Sequence, residues 1–186
     1  MNTDILQFYA FSSDKPAGDG SGDCVLNKLS YVELNNIVNW RRMFSSLWMN
    51  DPFTFNNLKF QSYEHAYQYS KYDVTGYKDI AFLFSLNFYS ELSKNKITSN
   101  NKKIYMLNDV ELKLWSDSLD IIKDNLYKAK YTLDTRPGLA LINTHCSILI
   151  NSGPRIKKIR CIRLENRRTV LLNEILLNEN LLNGKR

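Results

Sequence analysis

The densest set of potentially chemical side chains in this sequence is Ser62-Tyr63-Glu64-His65-Ala66-Tyr67-Gln68-Tyr69-Ser70-Lys71. On a helix, Glu64, Gln68 and Lys71 lie four and seven positions apart, so a carboxylate, an amide and an ammonium share one face. Such a face has mixed roles. Composition alone makes it a solvent-facing stripe, with Glu64 complementing the positive end of the helix dipole. Acid-base chemistry needs the same types of group, so the stripe is also the first place to look for a site.

Other chemistries find less support. Cys24, Cys146 and Cys161 are widely spaced without a CxxC pair, and His65 and His145 lie far apart. No ligand spacing for a metal results, and the cysteines read as free thiols of a reducing compartment. None of the three has a neighbour that would lower its pKa and make it a nucleophile. No cofactor is implied. The chain has 25 Lys and Arg against 19 Asp and Glu, a formal charge of +6, which modestly favours phosphorylated partners. The one dense basic run, residues 155–168, reads as a solvated face or edge, with phosphate contact as the alternative. No apolar run reaches the length of a bilayer span, and the start MNTDILQFYAF lacks a secretory pattern, so a cytoplasmic protein without membrane contact is expected, a nuclear one being equally compatible.

The elements that must position these residues follow from periodicity. With 186 residues, one domain is expected across 1–186, because two halves would each bury little apolar surface. The expected class is α+β, predominantly α-helical, with a few short strands. Phe8 to Phe11 reads as a short strand. Residues 12–23 form a loop in which Gly18, Gly20 and Gly22 alternate; a flexible loop is favoured over a phosphate cradle, since neither a Walker loop nor a dinucleotide fingerprint is present. Ser30 and Glu33 make a capping-box pattern for a helix over about 31–43. Residues 44–62 read as loop and short strands around Asp51-Pro52 and Asn56-Asn57. Ser62 caps the helix that carries Glu64. Another helix is predicted over about 76–93. Leu112, Trp115, Leu119, Ile122 and Leu126 then repeat at three and four, predicting one long amphipathic helix to about 131. Pro137 suits the first turn of a helix that leads to Thr144. A last helix covers about 168–183, its leucines read as a core face before a partner surface.

The order FSSLWMNDPFTFNNLKFQSYEHAYQYSKY resembles the signature of the NADAR/YbiA-like family. There an LSNF or FSNF segment precedes a Pro-Phe pair, a turn and an S-x-E-H-x-x-Q-x-x-K helix; here these are Phe44-Ser45-Ser46-Leu47, Pro52-Phe53 and Ser62 to Lys71. Downstream, Trp115, Lys130 and Thr144 fall where the family has a Trp opening a helix, a Lys near its end and a Thr closing the next. The resemblance covers about residues 40–150, and Phe8-Tyr9 is similar to the family's opening pair. It departs in two places: Ser46 stands for the family's Asn, and the late Asp-x-x-Trp-Gly stretch is missing.

The resemblance implies a single YbiA-like domain and a metal-independent N-glycosidase. Its substrate would be a phosphorylated ribosyl or ADP-ribosyl compound, either a riboflavin-pathway intermediate or ADP-ribosyl-guanine, which extends to ADP-ribosylated nucleic acid. A non-catalytic ADP-ribose or nucleotide-binding module is the alternative. Bond cleavage builds positive charge on the sugar, which a carboxylate stabilises while activating water; Glu64 would hold that role. Trp115 would stack on the base, and Gln68 or Lys71 would supply donors to it. Arg41, Arg42, Lys71 and Lys130 are the cations available for phosphate, with Ser46 and Phe53 as further substrate contacts.

Overall fold

The computed structural model describes residues 3–86, 106–153 and 157–183. It is a mostly helical α+β chain that divides into two compact units, Met1–Ser45 with Tyr131–Arg186, and Ser46–Lys130. Among the described residues no helix is long and apolar enough to cross a membrane.

In the first unit, β1 (Ile5–Phe8) starts three residues before the expected strand. A 3-10 turn (Lys28–Tyr31) leads into α1 (Val32–Asn35), and α2 covers Trp40–Met43. The single helix expected over 31–43 is therefore interrupted. Asn39 takes a left-handed φ of 64° and gives its N–H to Asp14 Oδ1 at 2.7 Å, so the helical ladder cannot pass through it. The cap also moves: Asn27, not Ser30, accepts the first-turn N–H, from Leu29. Later in the chain come α6 (Arg136–Ile142), β4 (Ile148–Asn151), β5 (Ile159–Arg160) and α7 (Ile162–Asn183). Thr135 caps α6 through the Gly138 N–H, with Pro137 in the first turn as expected.

A three-stranded sheet holds this unit together. β1 runs parallel to β4, from Ile5 opposite Ile148 to Phe8 opposite Asn151, and β5 adds to β4 antiparallel. Trp40, Tyr31, Tyr131, Leu6, Leu141, Leu149 and Leu164 are among its fully buried side chains. α7 starts six residues before the expected helix and takes part of the basic run inward. Arg168 is buried and donates to Thr144 Oγ1 at 2.7 Å, while Arg167 bonds the Tyr131 carbonyl. Leu176, Leu177, Leu181 and Leu182, by contrast, are exposed.

The loop 12–23 is built around a buried ion pair. Arg41, 2% exposed, meets Asp23 at 3.1 and 2.6 Å, and its other donors go to the carbonyls of Gln7, Lys15 and Pro16. Asp23 in turn accepts the N–H groups of Gln7, Gly18 and Gly20. The glycines serve that wrap rather than flexibility. At Gly22, φ is +85° and a Cβ would stand 2.3 Å from Gln7 Nε2; at Gly20 a Cβ would stand 2.8 Å from the guanidinium.

In the second unit, β2 (Phe53–Phe55) and β3 (Leu58–Phe60) form a hairpin whose two turn residues, Asn56 and Asn57, both have positive φ, as a primed turn requires. α3 (Tyr63–Val74), α4 (Lys78–Phe82) and α5 (Asp109–Lys130) follow. Of the helix expected over 76–93, α4 forms only Lys78–Phe82 and residues 83–86 leave it as turn; the part from 87 lies outside the described residues. Asn108 and Glu111 cap α5 reciprocally, each side chain accepting the other's N–H. Phe53, Phe60, Ala66, Tyr69, Tyr72, Phe84 and Leu126 form the core against which α3 and α5 pack. The stripe on α5 is buried at Trp115 and Leu126, but Leu112 is 46% exposed.

Removing one member of a buried pair leaves an uncompensated charge and costs about 3–5 kcal/mol. Asp23→Ala is therefore expected to lower unfolding stability by about that amount in urea titration. Asp19→Ala, which removes the exposed pair with Lys28, should barely move the midpoint.

Candidate functional site

Glu64 occupies the first turn of α3, where the chain's own polar groups place it. The Ser62 hydroxyl accepts the His65 N–H as N-cap, and the carbonyl of Ser46 accepts the Glu64 N–H at 3.0 Å. The segment expected to touch substrate thus positions Glu64 through its backbone. Four residues on, Gln68 Nε2 donates to Glu64 Oε1 at 2.9 Å, as the helical spacing predicts.

An aromatic wall adjoins this carboxylate. The Tyr67 ring lies 5.1 Å from that of Trp115, edge-on, and its hydroxyl is hydrogen-bonded by the indole. Burial raises the Tyr67 pKa, and the negative charge of Glu64 raises it further. Glu64, Tyr67 and Trp115 therefore share one neighbourhood. Tyr63 extends it, stacked 6.4 Å from Tyr67 and tilted 5.2 Å from Tyr127. The tyrosines were not among the expected site residues; their spacing at 63 and 67 on the helix that carries Glu64 is the signal that could have found them.

Several expected contacts have other occupations. Trp115 is only 8% exposed and its indole N–H is engaged, so the half-buried Tyr67 is the better placed of the two rings to meet a ligand. Phe53, 6% exposed and 6.4 Å from Phe60, is a core side chain rather than a substrate contact. Arg41 has all its donors committed within the first unit, so it adds charge but no hydrogen bond to a phosphate. Arg42 gives Nε to the Ser12 carbonyl at 2.6 Å. Lys71 lies half-buried, its ammonium 5.5 Å over the Tyr72 ring.

Lys130 is 2% exposed, and burial pushes its ammonium down to about 7, with Asp51 opposing the shift. Trp48 Nε1 holds that carboxylate at 2.5 Å. A lysine so enclosed is a buried titrating group and a poor phosphate clamp. His65 is likewise buried, with Nδ1 2.7 Å from Ser62 Oγ, and burial lowers it to about 4. It is neutral at physiological pH.

A polar cleft of about 390 Å³ opens in the first unit between the glycine-rich loop, Arg41 and Ser152, Gly153 and Lys158. Of the expected site residues, Arg41 lines it; Glu64, Gln68, Lys71, Trp115 and Lys130 do not. Among the described residues no three His, Cys, Asp or Glu side chains gather as a metal site. No family model matches the chain, and neither a curated protein nor a solved structure matches it.

The two depressed bases act over different pH windows with the same sign. An unfolded lysine keeps its proton up to 10.5, while Lys130 releases it near 7, so the unfolded chain binds more protons between those values and stability rises with pH across them. Urea midpoints measured from pH 7 to 10 should show this rise, and Lys130→Met should flatten it. For His65 the window lies between about 4 and 6.5: neutral His65 supports folding above 6.5, and that support is lost as pH falls through about 4. His65→Gln should remove that part of the acid sensitivity, read from the same midpoints between pH 4 and 6.5.

Proposed function

We propose that the chain is a NADAR/YbiA-like N-glycosidase acting on a phosphorylated ribosyl or ADP-ribosyl compound, with Glu64 as the catalytic carboxylate. The observation that carries this reading is the carboxylate itself: fixed in the first turn of α3 by the Ser46 carbonyl, bonded by Gln68 and adjoined by Tyr67. A sugar C1′–N bond breaks with its electron pair leaving on the base nitrogen, so positive charge grows at C1′. Glu64 would stabilise that charge and take a proton from the water whose oxygen attacks C1′. Gln68 orients the carboxylate without neutralising it. That bond uses one of the two amide N–H groups, so the other, or Lys71, would serve as donor to the departing base. Tyr67 would lie against the base, with Trp115 fixing its ring from behind as a positioning residue.

The test uses ADP-ribosylated guanosine and, separately, the riboflavin-pathway intermediate, with products identified by mass spectrometry. Glu64→Gln should lower kcat by about a hundredfold or more while substrate affinity stays close to wild type, because the loss falls on the transition state. Glutamine keeps size and helix propensity, so the melting temperature should not change. Wild type that binds ADP-ribose but cleaves neither N-glycoside would leave the binding-module reading in place. Glu64→Gln with undiminished turnover would remove Glu64 from the chemistry.

A further inference from the structure

The cleft of the first unit uses none of the groups on α3, and its charge is one-sided. Lys15, Arg41 and Lys158 line it, and no carboxylate does. Asp23 lies behind Arg41 and cancels one of these three charges, which leaves a net of two positive charges facing the space. Asp19 also feels Lys15, but it is exposed and bonded to Lys28.

We infer that this cleft is a binding site for the phosphate of a small phosphorylated metabolite, a phosphomonoester dianion. The two lysines, both exposed, supply mobile point charges and donors, and the hydroxyls of Ser13 and Ser21 on the same lining supply neutral ones. The floor is prefixed. The Arg41–Asp23 pair and its bonds to Gln7, Gly18 and Gly20 hold the loop before any ligand arrives, so little ordering remains to oppose binding. A volume of about 390 Å³ suits a small molecule rather than a polymer groove. Lys158 belongs to the basic run, whose neighbours Arg160, Arg167 and Arg168 are occupied by Glu165, the Tyr131 carbonyl and Thr144. The inference stands apart from the proposed glycosidase chemistry and holds whether or not Glu64 is catalytic.

Calorimetric titration with ribose 5-phosphate, inorganic phosphate and ribose tests it on the full chain. Both phosphate-bearing probes should bind and ribose should not, with affinity falling as salt is raised. Lys15→Gln and Lys158→Gln should each weaken Kd by about fivefold and the double substitution by about twentyfold or more, a range expected for partly solvated ionic contacts. Melting temperatures should hold, since both side chains are exposed. Absence of binding at millimolar ribose 5-phosphate, or a double variant that binds like wild type, overturns the site. A short single-stranded oligonucleotide that binds more tightly than ribose 5-phosphate through the same two lysines overturns the small-molecule assignment.

Discussion

The first unit depends on one buried ion pair. Taking Arg41 and Asp23 out of water costs several kcal/mol per charge, a cost that mutual attraction offsets only when every remaining donor and lone pair is also satisfied. Here they are: the guanidinium spends its donors on Asp23 and three carbonyls, and the carboxylate receives three backbone N–H groups besides. Those bonds reach β1, the glycine-rich loop and α2 at once. A segment whose composition predicts free motion is thereby a fixed wall, and the cleft beside it has a floor that does not need a ligand to form.

The second unit places its carboxylate by a different route. Its aromatic core fixes α3 against α5, and the first turn of α3 is closed by Ser62 and by the carbonyl of Ser46. On the proposed NADAR/YbiA-like reading, Ser46 stands where that family has Asn, and serine offers no amide donor. The contact made with Glu64 is a backbone one, however, and no side chain at 46 is needed for it. The position of Glu64 therefore does not depend on the side chain at 46.

Much of the helical framework was legible because helices announce themselves locally. Ser62, Pro137 and the repeat at Trp115 and Leu126 act through hydrogen bonds and packing within a few turns, so α3, α5 and α6 lie where periodicity and caps put them. The failures have a common cause in distance along the chain. Asn39 breaks the expected 31–43 helix through a bond to Asp14, twenty-five residues away, and the loop 12–23 is ordered by Arg41, eighteen residues beyond Asp23. Nothing in a local window records such partners. For the site, the shared face of Glu64 and Gln68 followed from spacing alone, whereas the burial of Phe53 depends on the core it joins and Trp115 meets Tyr67 of α3, a contact from another element.

The cations show the same limit most sharply. In a sequence, Arg41, Lys130 and Lys158 are equivalent positive charges, each a candidate to hold phosphate. Burial separates them. Arg41 spends every donor on the fold. Lys130, enclosed to a similar degree, gives way instead, since an ammonium can release its proton near neutral pH when desolvation outweighs the pull of Asp51. Lys158 is exposed to water. A cation can therefore serve the fold or a ligand, and exposure decides which, so the exposed lysines of the cleft are better placed to meet an anion than the buried residues the spacing first suggested.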